Sequence, residues 1–473
     1  MATDRDRVPR PASTTDRPIL TSSDDTLNLK RYALALAEFV VNSETPITIG
    51  VQGECGSGKS SLMNLFRQEI ETRRCASAWV NTWEHAIFRT PREIVPAILR
   101  GLLESLREQC QAYWPSSATD QLRKVVGAFK KLGRVALAFA AYQGAGMSSA
   151  HPATDAADQS LLAGVAGLKR EFEGIIDKLV QPDTPYDRVV FFLDDVDRLE
   201  PGVAVEVLEA LKNVFEVEHC VFVLAVDYEV VVRGLESRFG PRTAENEREF
   251  RSFFDKIVQV PFSVPVSHHR IGALLREQLA RGRHAPDPAF AGHFERIAQL
   301  TVGAVPRNVK KLVNLFSLLS EIRPGENQVR GAAPEEGAGP RAEFCLFALL
   351  ALEMAYPRIY RLLLAQPDFQ AWDDGFARRH RIRLLDFPSA ESADELVDEK
   401  WEQVVFSFCE ADPHLRARRS HVLLALNELR HALGEPLGPI VGEAAEIASL
   451  SAVERTDGRA PREVRGRELP PSE

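Results

Sequence analysis

The stretch ITIGVQGECGSGKSSLMNLF, residues 47–66, reads as a strand, a glycine turn and a helix in immediate succession. Within it Gly53, Glu54, Cys55, Gly56, Ser57, Gly58, Lys59 and Ser60 satisfy the spacing G-x-x-x-x-G-K-[ST] without a gap. The chemistry behind that spacing is specific. Backbone N–H groups must turn inward around a polyphosphate, and glycine permits the backbone angles this needs. A helix starting near Lys59 aims its positive end at the anion. Lys59 is then expected to reach the β- and γ-phosphates and the Ser60 hydroxyl to ligate Mg²⁺, with Ser61 completing the cradle.

Outward from this loop, a second half-site is expected at Phe191-Phe192-Leu193-Asp194-Asp195, where a continuous apolar run ends in two acids. Such a run marks a strand buried on both faces, and the expectation is that it lies beside the strand of the loop. Asp194 is assigned to hold Mg²⁺, and Asp195 to polarise the attacking water as general base or orienting group. Asp197 and Arg198 read either as a pair or as residues that shape the loop. Asp227 ends the strand CVFVLAV, where a polar group would face the γ-phosphate if that strand neighbours the other two. A helix N-cap for YEVVVRGL is a compatible reading of the same residue.

Arg307, in GAVPRNVKKLVNLF, reads as an arginine reaching the nucleotide from a lid, with a solvated helix face as the alternative. Arg233, Arg238 and Arg251 are further options for an arginine finger. The guanine motif N-K-x-D is absent from the sequence, and DDVDR lacks the glycine of D-x-x-G, so ATP is favoured over GTP.

A chain of 473 residues is long enough for two or three domains. Short β-rich runs alternating with helices predict an α/β fold: a three-layer α/β/α core around a mostly parallel sheet, followed by an all-helical C-terminal region. The expected organisation is an unstructured segment over 1–25 and the core over 26–265, with a loose insertion at about 115–165. A helical lid over 266–322 follows, then a linker over 323–341, C-terminal helices over 342–450 and an unstructured tail over 451–473. The balance of 58 basic against 67 acidic side chains, net −9, argues against one basic face wrapped on nucleic acid. The local clusters RRHRIR from Arg378 and RARRS from Arg416 leave nucleic acid as a rival partner. Six cysteines without C-x-x-C spacing, and an N-terminus without an apolar core, predict reduced thiols and a cytoplasmic protein. The longest apolar run in the insertion, VALAFAAY, is too short to span a bilayer, although the basic-apolar segment 123–142 is compatible with peripheral membrane contact.

Four stretches together resemble the KAP family of P-loop NTPases, a branch of the signal-transduction ATPases. They are GECGSGKSS, VNTWEH with its Asn81-x-Trp83 pair, FFLDDVDRLEP, and FVLAVDYEVV followed by FFDKIVQVPFSVP. GAVPRNVKKLVN is similar to the family's arginine motif after the core. The resemblance implies a Mg²⁺-dependent ATPase acting as a conformational switch. It also implies a role in bacterial antiphage defence, with a homo-oligomer or a separate effector protein as partner. Two other classes compete on the residues alone: a small-molecule kinase using the same cradle, and a nucleic-acid-dependent ATPase.

Overall fold

A computed structural model of the chain describes residues 13–109, 169–170, 172–266, 271–281, 286–322, 338–385 and 397–451. The expected insertion, its segment 123–142 and nearly all of the expected tail lie outside these residues. The chain divides into two compact units. The sheet unit comprises Asp16–Leu274 with Ala304–Arg307. The helical unit comprises Leu275–Gly303 and Asn308–Glu473 with Met1–Thr15.

The sheet unit holds strands β1 (Ile47–Gln52), β2 (Cys75–Asn81), β3 (Arg188–Asp194), β4 (Cys220–Val226) and β5 (Val260–Ser263). Every pairing is parallel and the order is β2-β3-β4-β1-β5. This corrects one expectation. The acid-bearing strand β3 does not lie beside β1, because β4 separates them: Val51 pairs with Ala225, and Leu193 with Leu224. The physical reason is visible in β4 itself. All seven of its residues are buried, and a strand apolar throughout is best satisfied at the centre of a sheet covered on both faces.

The cover comes from helices α1 (Lys30–Asn42), α2 (Lys59–Glu71), α3 (Thr82–Ala86), α4 (Pro91–Gln109), α5 (Pro201–Phe215), α6 (Tyr228–Phe239) and α7 (Glu247–Ile257). Consecutive strand residues point to opposite faces, and β3 shows the consequence. Phe191 stacks on Phe222 at 5.0 Å and meets Phe172 at 5.8 Å on one face. Phe192 meets Phe66 of α2 at 5.4 Å and Trp79 at 5.7 Å on the other. All except Trp79 are buried, and each buried ring contributes about 1.5–3 kcal/mol.

Composition reads residues 1–25 as unstructured, yet part of this segment has a fixed place on the sheet unit. The Ile19 N–H donates to Ser61 Oγ at 3.0 Å, and the Ile19 carbonyl accepts from Asn64 Nδ2 at 3.0 Å. The Leu20 carbonyl accepts from Gln68 Nε2. Ser61, Asn64 and Gln68 recur along one face of α2, so a polar stripe of the helix satisfies the backbone of an otherwise unpatterned strap.

The helical unit is built mainly from α9 (Ala291–Leu300), α10 (Pro306–Ile322, from Asn308), α11 (Ala338–Ala355), α12 (Pro357–Ala365), α13 (Asp374–Arg379), α14 (Lys400–Ala411), α15 (Arg419–Leu433) and α16 (Leu437–Ala448), and it also takes the end of α8 (Ile271–Arg281). The expected lid and C-terminal helices are not separate bodies, and residues 338–341, expected in a linker, already belong to α11. Phe344 to Leu352 of α11 are all buried, so the helix needs neighbours all round. Phe294 and Phe316 supply two of them, lying 4.5 and 5.5 Å from Phe347. The Tyr356 hydroxyl donates to the Leu300 carbonyl at 2.6 Å, and His293 Nδ1 lies 2.6 Å from Glu428 Oε1. Among the described residues no helix is long and apolar enough to cross a membrane.

Candidate phosphate-binding site

The site forms where β1 turns into α2. Gly56 has φ +85° and Gly58 φ +104°, left-handed conformations that a side chain would strain. Gly58 is the N-cap of α2, no acid occupies the first helical turn, and no side chain caps it. The first N–H groups of the helix therefore keep their capacity for an anion. The Ser57 hydroxyl is buried in the same loop without a hydrogen-bond partner, an arrangement that a ligand oxygen would satisfy.

Lys59 is buried, and its ammonium is held in three ways. It donates to the Gly53 carbonyl at 2.6 Å and to the Glu54 carbonyl at 3.4 Å, and it pairs with Asp197 Oδ2 at 2.7 Å. The Ser60 hydroxyl donates to Asp194 Oδ1 at 3.0 Å, so the loop and the end of β3 meet directly although β4 lies between their strands. The same Asp194 oxygen accepts the Asp195 N–H at 2.9 Å, and Thr82 Oγ1 donates to the Asp194 carbonyl at 2.9 Å. Burial pushes the Asp194 carboxyl up to about 6. The Ser60 and Asp195 donors oppose that shift, and the charges of Asp195 and Asp197 add to it.

Asp195 is buried and itself adopts φ +59°, an uncommon conformation outside glycine that aspartate tolerates better than most residues. Both oxygens of its carboxylate have partners. Asn81 Nδ2 donates to Oδ2 at 2.9 Å, and Arg198 Nε pairs with Oδ1 at 2.9 Å. Asp197 and Arg198 thus do not pair with each other: one holds Lys59 and the other holds Asp195. Asn81 closes β2, and its side-chain carbonyl caps α3 by accepting the Glu84 N–H at 3.2 Å. Trp83, on that short helix, is 42% exposed and belongs to no core.

Arg307 is brought to the loop. Its backbone N–H points to the Gly56 carbonyl at 3.5 Å, and its guanidinium donates to Cys55 Sγ at 2.7 Å and to Asp16 at 2.5 Å. A Cβ on Gly56 would lie 2.6 Å from the Arg307 Cβ, so the glycine is required by this approach as well as by its backbone angles. Asp227 caps α6 by accepting the Glu229 N–H at 3.0 Å. It stands at the end of β4, which neighbours both β1 and β3, as the sensor reading requires. The other arginine candidates are placed differently. Arg238 pairs with Glu209 and Arg251 with Glu247, whereas Arg233 is exposed and has no carboxylate partner among the described residues. In the C-terminal basic clusters, Arg416 and Arg419 share Glu410.

Asn81, Thr82, Asp197, Arg198 and Asp16 join the constellation beyond the expected set. The DDVDR string carried a signal for two of them, and the Asn-x-Trp pair for a third. Nothing local in the sequence marks Asp16, 291 positions from Arg307.

The model of the KAP family P-loop domain matches residues 29–323. A similar solved structure is that of the Orc1 protein of Aeropyrum pernix in complex with DNA. It shares 15% identity over 89% of this chain and 94% of that chain, with a TM-score of 0.32, and a likeness of that degree carries no functional argument. No curated protein matches the chain.

Proposed function

The chain belongs to the KAP family of P-loop NTPases, and from that membership we propose that its sheet unit binds ATP with Mg²⁺, hydrolyses it, and uses the cycle as a conformational switch. The observation that carries the reading is the 3.0 Å contact between Ser60 and Asp194. It joins the phosphate loop to the acid strand and sets two hard oxygen donors side by side, the donor type that suits Mg²⁺. The orphaned Ser57 hydroxyl and the uncapped start of α2 fit a polyphosphate in the adjoining loop.

Each side chain has a role in this reading. The loop N–H groups and Lys59 bind the phosphates, and Lys59 exchanges Asp197 for them. Ser60 and Asp194 hold Mg²⁺, which when bound supplies charge neutralisation of the phosphate oxygens. Asp195 orients the attacking water and takes its proton at a carboxylate oxygen. Asn81 and Arg198 each take one lone pair of a different carboxylate oxygen, so each oxygen keeps one for the water. Asp227 stands at the end of the intervening strand as a sensor of the terminal phosphate, and Arg307, held beside the loop at Cys55, would reach that phosphate. The absence of N-K-x-D supports ATP as the nucleotide. A place in antiphage defence, through self-assembly or a partner effector, belongs to the same proposal and rests on the family alone.

The test is nucleotide binding and phosphate release by the purified chain and two variants. Lys59→Ala is expected to lose ATP binding, and Asp195→Asn to bind but not turn over. Wild-type turnover in both variants would overturn the site assignment. Particle mass measured by light scattering should rise with ATP if the switch drives assembly.

A further inference from the structure

Toward its N-terminal side the strap on α2 carries a carboxylate, Asp16, that touches the site. Asp16 holds the Arg307 guanidinium at Nε, while the Nη1 of the same guanidinium donates to Cys55 Sγ inside the phosphate loop. Three residues further on, Ile19 is bonded through both its N–H and its carbonyl to Ser61 and Asn64 of α2. Ser61 directly follows Ser60, so the strap is anchored on the helix turn that begins at the cradle. A carboxylate on a guanidinium is the arrangement that a phosphate oxygen would make with the same group. Because Asp16 is tethered by the Ile19 and Leu20 contacts, its effective concentration at Arg307 is on the order of millimolar or above.

We propose that Asp16 is a built-in competitor for the phosphate end of the nucleotide: it occupies Arg307 in the nucleotide-free protein, and ATP displaces it and loosens the strap from α2. The proposal rests on the ATP-site reading and deepens it by naming how that site is regulated. Two features of the contact favour competition over simple support. Asp16 places a negative charge beside the loop that must receive a more negative ligand. The pair is also partly solvated, with Arg307 35% and Asp16 50% exposed, so it is weak enough to be exchanged.

The experiment uses the full chain. Binding of ATP with Mg²⁺ is measured by calorimetry for wild type, Asp16→Asn and, as a charge-matched control on the same segment, Asp24→Asn. Asp16→Asn is expected to bind ATP about two- to fivefold more tightly, the range set by removing one exposed ion pair. Asp24→Asn, whose carboxylate among the described residues bonds to Thr21 of its own turn, is expected to match wild type. Hydrogen exchange at the Ile19 amide is expected to speed up when ATP is added to wild type. Equal or weaker binding by Asp16→Asn, or unchanged exchange at Ile19, overturns the proposal while leaving the ATP site intact. No ATP binding by wild type would remove the ATP site itself, and this inference with it.

Discussion

One amide of Asn81 joins two functions: its Nδ2 donates to Asp195 at 2.9 Å while its Oδ1 caps α3. The end of β2 therefore fixes both the orientation of the acid proposed as the base and the start of the helix that follows. Replacing Asn81 with alanine should leave ATP affinity near wild type and lower the hydrolysis rate about 10- to 100-fold, the range for losing one hydrogen bond to a charged group. Single-turnover phosphate release beside a binding titration separates the two effects. A loss of affinity as large as the loss of rate would assign Asn81 to nucleotide binding instead.

Asp194 makes the site sensitive to acid. Burial pushes its carboxyl up to about 6, so below that pH it is increasingly protonated, and a Mg²⁺ ion held there as proposed would have to displace a proton. Mg²⁺-dependent ATP affinity should fall as pH drops from 7 to 5. The sign for stability is opposite. A carboxyl whose value is raised in the fold binds more protons folded than unfolded, so its contribution to stability declines as pH rises from about 4 to 6. Asp194→Asn should consequently raise the melting temperature of the nucleotide-free protein at pH 7.5 and abolish the effect of Mg²⁺ on ATP binding.

His85 provides a second pH response, away from the phosphates. Its ring lies against Gly101, where a Cβ would come within 2.5 Å of Nε2, and burial lowers its affinity for a proton. A histidine kept neutral in the fold leaves stability complete above its unfolded value of about 6.5 and subtracts from it as pH falls below. Thermal denaturation between pH 7.5 and 5 should show this loss, and His85→Gln should flatten it. An unchanged profile in the variant would assign the acid sensitivity elsewhere.

Gly234 tests the packing of the sheet unit independently of the site. A Cβ there would lie 2.2 Å from the Pro201 carbonyl oxygen, a backbone atom that cannot swing aside. Gly234→Ala should destabilise by roughly 1–3 kcal/mol as α6 is forced from α5, despite alanine's better helix propensity. Urea denaturation reads this directly. A neutral or stabilising result would mean that the two helices approach less closely than the structure has them.

The phosphate loop was legible in the sequence because its chemistry is local: eight consecutive residues carry both the backbone angles and the functional groups. The placement of Asp194 at the end of a buried strand was legible from the continuous apolar run before it, and its contact with Ser60 is what the structure adds. Strand order was not, because nothing in the composition of β3 says that β4 will separate it from β1. The partners of Lys59 and Asp195 were only half legible. The string DDVDR contains Asp197 and Arg198, but which charge each one meets depends on the turn imposed by Asp195 in its left-handed conformation. The single core shared by the expected lid and the C-terminal helices depends on contacts such as Phe294 with Phe347, which sequence distance conceals.

The Lys59–Asp197 pair, with side chains only 8% and 10% exposed, has a consequence for discrimination among anions. An incoming ligand must separate two buried opposite charges before Lys59 can serve it, and breaking such a pair without replacement costs about 3–5 kcal/mol. A lone phosphate or sulfate offers one contact in return. A nucleotide offers a chain of charges that meets the loop, the helix end and the lysine together. On the ATP-site reading, the closed ion pair would therefore set a threshold that a polyphosphate meets more readily than a single phosphate or sulfate.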